Sequence, residues 1–91
     1  MKYRISSITY HDGVEKQDIA SVHRLGRLVG VDPLNIIVGH RLFMINTMDF
    51  MKSILTSPIR DYDIDDKSGV LTIKTENSIY YLDPEIQDSD L

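Results

Sequence analysis

The side chains able to do chemistry are few and scattered. Arg24, Arg27 and Arg41, with His23 and His40, form the one basic concentration in the sequence. If residues 24–31 and 36–45 pair as antiparallel strands, these groups share an edge or one end of a small barrel. Tyr10, Tyr80 or Tyr81 beside them would add a stacking surface. A cationic groove with an aromatic platform is how small barrels hold single strands of nucleic acid. Arg24, Arg27, His40, Arg41 and Tyr80 are therefore the candidate binding residues. The competing reading is that the arginines balance an acidic sheet edge.

Other chemistries lack their residues. Asp61, Asp63 and Asp65 alternate and invite a calcium loop. Counted from Asp61, Asp66 stands where such a loop needs glycine, and Thr72 where it needs a bidentate glutamate. The three aspartates read instead as a solvated rim. His11, His23 and His40 include no pair three or four residues apart, so no helix presents two imidazoles to a metal. Cysteine is absent, which removes thiolate and disulfide chemistry. No serine sits in a glycine-flanked elbow, and no glycine-rich loop runs into Lys-Ser or Lys-Thr. The expectation is a protein with no catalytic residues, no metal and no cofactor, and not an enzyme.

Charge divides the chain. The net charge is −4. Residues 1–60 carry eight Lys/Arg against five Asp/Glu, and residues 61–91 carry two against nine. A mildly basic body with an acidic end is poorly suited to tight nonspecific phosphate binding. The acidic end serves solubility, or imitates nucleic acid for a DNA-binding protein.

The elements that must position these groups are mostly strands. Val70 to Thr75 and Ile79 to Leu82 are rich in the residue types that suit a pleated surface. Leu71 and Ile73 share one face, turned inward, and Thr72 and Lys74 the other. Asp65 to Gly69 has the composition of a turn, and Arg60 to Ile64 is the partner strand, with Tyr62 and Ile64 on its inner face. Glu76-Asn77-Ser78 forms a second turn, in which Asn77 suits a left-handed conformation. Lys2 to Tyr10 is the first strand. Its apolar phase switches at Ser6-Ser7, as a β-bulge would make it. His11-Asp12-Gly13 turns the chain.

Two stretches are ambiguous. Asp18 is placed to cap a short helix bearing Ile19, Val22 and Leu25, with Gly26 just beyond. The competing strand, from about Arg24 to Val31, is the reading adopted. Thr47 is similarly placed to cap a helix carrying Met51, Ile54 and Leu55. Between them, Leu34 to Ile45 is strongly apolar, and Gly39-His40-Arg41 within it is either a bend or bulge in one long strand or a break between two short ones. It is the expected most buried strand, with Leu42, Phe43 and Ile45 in the core.

These elements imply a mainly β fold: a small, five- to six-stranded, antiparallel, partly rolled barrel with one or two short helical turns. Residues 1–83 make a single domain, and 84–91 an acidic, flexible tail. A chain of this length buries only about 60–65% of its unfolded surface, so a homodimer would help it. No apolar run approaches the ~18–20 residues that span a bilayer, and the N-terminus lacks the order of a signal peptide. A soluble, cytoplasmic protein without membrane contact is expected.

Thr56-Ser57-Pro58-Ile59 and Thr75-Glu76-Asn77-Ser78-Ile79-Tyr80-Tyr81-Leu82 resemble a pattern in small uncharacterised β-barrel proteins of bacteria and their phages. Arg24-Leu25-Gly26-Arg27 resembles the start of a strand in small barrels of the Src-homology type. The first resemblance covers under a third of the chain. It implies a phage or mobile-element origin and a partly rolled sheet, and carries no activity or site residue with it. Two functions follow as expectations. One is a non-enzymatic protein-interaction module that engages a protein partner or itself through an edge strand or the acidic end. The other is a barrel binding single-stranded nucleic acid through the arginines and tyrosines, which the acidic final third disfavours.

Overall fold

The computed structural model describes residues 1–85. Alternating apolar residues make seven strands: β1 (Lys2–Thr9), β2 (Leu28–Gly30), β3 (Phe43–Asn46), β4 (Ile54–Leu55), β5 (Ile59–Ile64), β6 (Leu71–Thr75) and β7 (Ile79–Pro84). They form one antiparallel sheet in the order β4-β3-β2-β1-β7-β6-β5. The strand count exceeds the five or six expected.

Chain connectivity forces this sheet to curl. Laid flat, seven strands at about 4.8 Å spacing would hold β4 and β5 ~29 Å apart. Only Thr56, Ser57 and Pro58 separate Leu55 from Ile59, a reach of about 14 Å when fully extended. Backbone hydrogen bonds fix the curl. The Thr56 N–H donates to the Leu42 carbonyl at 2.9 Å, and the Ile59 N–H to the His40 carbonyl at 2.8 Å. The ladder nevertheless stays open, with β4 and β5 as its two edges, so the expected barrel does not close.

Curling lets one sheet bury its own concave face. Leu71 and Ile73 of β6 are fully buried there, as the alternation requires, beside Tyr80 and Leu82 of β7. Tyr3, Ile5 and Ile8 join them from β1. A register shift between Ile5 and Ser7 resets the phase of β1, so that residues of odd and even number reach the same core. A second shift falls in β5, between Ile59 and Asp61, but the even-numbered residues expected on its inner face do not reach the core. Ile59 is buried, whereas Tyr62 and Ile64, opposite Ile73 and Leu71, lie at the rim and stay half-exposed.

The turns follow their side chains. Asp65 Oδ1 accepts from the Lys67 and Ser68 N–H groups at 2.8 and 3.1 Å, and Gly69 leaves the turn at φ +76°. The 76–78 turn works differently from expectation. Among the described residues no non-glycine has positive φ, Asn77 included. Thr75 Oγ1 closes this turn instead, accepting from the Ser78 N–H at 3.1 Å and donating to the Ser78 carbonyl at 3.0 Å.

Three further expectations are corrected. Residues 19–24 form a helix, α1 (Ile19–Arg24), and the strand expected from about Arg24 to Val31 is confined to β2. Asp18 caps it by accepting from the Ser21 N–H at 3.1 Å, and Gly26, at φ +82°, releases the chain toward β2. Residues 34–42 are not a continuous strand. Asp32 caps a single turn at Pro33–Asn35, and the chain is irregular up to β3. In β3 the buried phase is opposite to expectation: Met44 is 0% exposed, whereas Phe43 and Ile45 are 44% and 43% exposed. Leu42 packs only partly against the core. Finally, Thr47 caps nothing; Asp49 caps one turn at Phe50–Lys52.

At the other end, Pro84 pairs with Tyr3 inside the sheet, and the Glu85 N–H donates to the Lys2 carbonyl at 2.9 Å. The tail expected from 84 thus begins as strand. Its remaining residues, 86–91, lie outside the described residues.

Candidate interaction surface

The end of α1 aims Arg24 at β7. Arg24 Nη1 donates to the Tyr80 hydroxyl at 2.9 Å. The Tyr80 ring is a core residue, only 4% exposed, so it offers its hydroxyl and no stacking face. Around this pair lies a pocket of about 360 Å³, lined also by Lys16, Arg41, Ser57, Asn77 and Ser78. Arg24, Arg41 and Tyr80, three of the five candidate residues, therefore meet in one cavity.

The other two do not. Arg27 Nη1 donates to the Lys52 carbonyl at 3.1 Å and lines a separate depression with His23, Asn46 and Asp49. Three residues beyond Arg24 and past the helix end, it leaves on a different bearing. His40 is exposed and lines neither cavity; its backbone is what the fold uses, holding Ile59. The other tyrosines named as stacking residues stand elsewhere. Tyr10 is half-exposed with Lys16 Nζ 5.0 Å from its ring centroid, and Tyr81 lies on the outer face beside Asp61 and Asp63.

The pocket is electropositive. Asp18 is the one carboxylate in its lining, and it is engaged as the cap of α1. Hydrogen bonding to Ser21, from its side chain first and its backbone N–H second, holds the Asp18 carboxyl below the usual aspartate value. Among the described residues the ion pair found is Arg4 with Glu85, at 3.3 Å, so Lys16, Arg24 and Arg41 have no carboxylate at ion-pair distance. Ser57 and Asn77 meet across the rim, where the Asn77 N–H donates to Ser57 Oγ at 3.3 Å. Sequence reasoning placed Asn77 in a turn and Ser57 at the stop of a candidate helix, and missed that the two flank one cavity.

Leu55 lines the same pocket and begins a second feature. On the outer face of the sheet it lies opposite Phe43. Phe43 in turn meets Phe50 edge-to-face, with ring centroids 5.9 Å apart. Ile45, two residues along β3, continues the face. Leu55 and Phe50 are 55% and 65% exposed, so these four make an apolar ridge open to solvent. Apolar side chains scattered singly over a surface are ordinary, whereas these four are contiguous. Both faces of β3 are apolar up to Ile45, so the sequence showed that one apolar face would be left over without showing which.

The acidic rim is built from local bonds. Asp61 Oδ1 accepts from the Tyr62 N–H at 2.8 Å, and Asp65 serves its turn. The Ser68 N–H, and then that of Lys67, hold the Asp65 carboxyl below its ordinary value. Among the described residues, no three His, Asp or Glu side chains come together as metal ligands, and no helix is long and apolar enough to cross a membrane.

Compared with protein-family models, curated proteins and solved structures, the chain matches none.

Proposed function

We propose that this protein is a non-enzymatic interaction module that holds a protein partner on the ridge formed by Phe43, Ile45, Phe50 and Leu55. The observation that carries this reading is the exposure of four large apolar side chains on one face, two of them aromatic. Keeping such a group in water is unfavourable by about 25 cal/mol for each Å² of apolar surface. Aromatic side chains are also the ones that concentrate binding energy at interfaces. In this reading the contact is made on the face of β3 and β4 beside the sheet edge, and not through the acidic end.

Single-stranded nucleic acid is the weaker reading. Arg24 and Arg41 support it by sharing a cavity. Against it stand the burial of the Tyr80 ring and the departure of Arg27, which remove the aromatic platform and spread the cationic groove.

The test is a pull-down from nuclease-treated extract of the source cell, with the wild type and Phe43→Ser compared side by side. A partner retained by the wild type and lost by the variant, with the variant's circular dichroism unchanged, supports the reading. Equal retention by both proteins refutes it. Light scattering on the purified protein identifies the case in which the partner is a second copy.

A further inference from the structure

We infer that the partner enters as an acidic segment, seating an apolar side chain on Phe43 and Leu55 and a carboxylate between Arg24 and Arg41. This rests on the interaction reading above and names the chemistry of the occupant. Leu55 belongs to both the ridge and the pocket, so a single short segment can engage the two at once. Three cations face one carboxylate in the pocket lining, and that carboxylate is held by the helix cap.

Guanidinium groups suit the occupant. Their planar forks match a carboxylate with two parallel N–H···O bonds. Arg24 is already steered by the buried Tyr80 hydroxyl, so less side-chain freedom is lost when an anion arrives. Ser57, Ser78 and Asn77 add neutral polar groups to the same cavity. A longer polyanion fits less well. Nucleic acid running past the pocket would leave Phe43 and Phe50 without apolar contacts, and residues 61–91, with nine acidic groups against two basic ones, would repel it. A second copy could offer its own acidic rim; such a contact joins unlike surfaces, so it would give a ring or an open chain of molecules and would be seen as self-association.

Selection from a random peptide display library tests this on the intact protein. Peptides that bind the wild type and fail to bind Phe43→Ser should be enriched in Asp or Glu next to a large apolar residue. Arg41 is exposed and its side chain makes no hydrogen bond or ion pair among the described residues, so Arg41→Ala should leave the fold intact. It should weaken an enriched peptide at least tenfold, and added salt should weaken the wild-type complex. Phe43-dependent peptides without acidic residues, or indifferent to Arg41→Ala, would overturn the inference while leaving the interaction reading standing. Absence of any Phe43-dependent peptide would overturn both. Tighter binding of a fluorescent oligodeoxythymidine than of any selected peptide, or Arg41-dependent self-association, would also overturn the inference.

Discussion

Met44 and Ile45 are neighbours whose fates in β3 are opposite, and truncating each to alanine tests the ridge at its root. Met44 is fully buried on the concave face, so Met44→Ala leaves a cavity as well as losing transfer free energy. Buried Met→Ala changes cost about 2–5 kcal/mol. Ile45 is 43% exposed on the convex face, and little more than half of its side chain is withdrawn from water. Removing its carbons forfeits about 0.8 kcal/mol each when fully buried, and so about 1–1.5 kcal/mol in all here, with no cavity left behind. Each kcal/mol moves the melting temperature of a domain this small by roughly 4–8 °C. Met44→Ala should thus lower it by roughly 8–40 °C, and Ile45→Ala by about 4–12 °C. Thermal melts followed by circular dichroism give both shifts, urea denaturation gives the free energies, and an unchanged slope with denaturant confirms that stability alone has changed. Equal losses, or a larger loss at Ile45, would place Ile45 in the core and remove the ridge.

Three other expectations test the frame. Gly69→Ala puts a Cβ at φ +76° and 3.2 Å from Pro84 Cγ, and should cost about 1–2 kcal/mol in the same urea titration. Thr9 Oγ1 is buried without a hydrogen-bond partner among the described residues. Thr9→Val removes that unsatisfied hydroxyl at nearly constant shape, so the urea midpoint should rise, against a penalty of about 1–3 kcal/mol for such a group. The Asp65 carboxyl is depressed in the fold, so its contribution is complete above the ordinary aspartate value and is lost as pH falls through the lower folded value. Its carboxyl carbon should titrate below the usual range by NMR. Asp65→Asn should flatten the acid limb of stability against pH, and an unshifted titration would contradict the turn geometry.

The fold was legible wherever the sequence alternated cleanly. Leu71 and Ile73, flanked by Thr72 and Lys74, allow one inner face, and that face is buried. Ser6-Ser7 broke the pattern of β1 where the register shifts. It was illegible where both faces carry apolar residues. Leu42-Phe43-Met44-Ile45 has no polar position to set a phase, so the burial of Met44 is decided by packing against the rest of the sheet. Ile79 to Leu82 has the same defect, which hid the burial of the Tyr80 ring. The helix at 19–24 was signalled by Asp18 and Gly26, but two turns of helix are marginal without tertiary support.

The cationic site was half legible for a related reason. Arg24 and Arg27 are close in sequence, but three residues apart on a strand they would already point to opposite faces. A helix ending at Arg24 separates them, sending one toward Tyr80 and the other toward Lys52. Lys16, Ser57 and Asn77 reach the pocket through loops whose paths no periodicity encodes.

Photo-cross-linking from a benzoylphenylalanine placed at position 43, in the source cell, tests the interaction surface most directly. The same group at position 62, half-exposed on the far rim, serves as the comparison. The account predicts a discrete cross-linked protein from position 43 and none from position 62. Cross-linking from 62 alone, or equally from both, would contradict it.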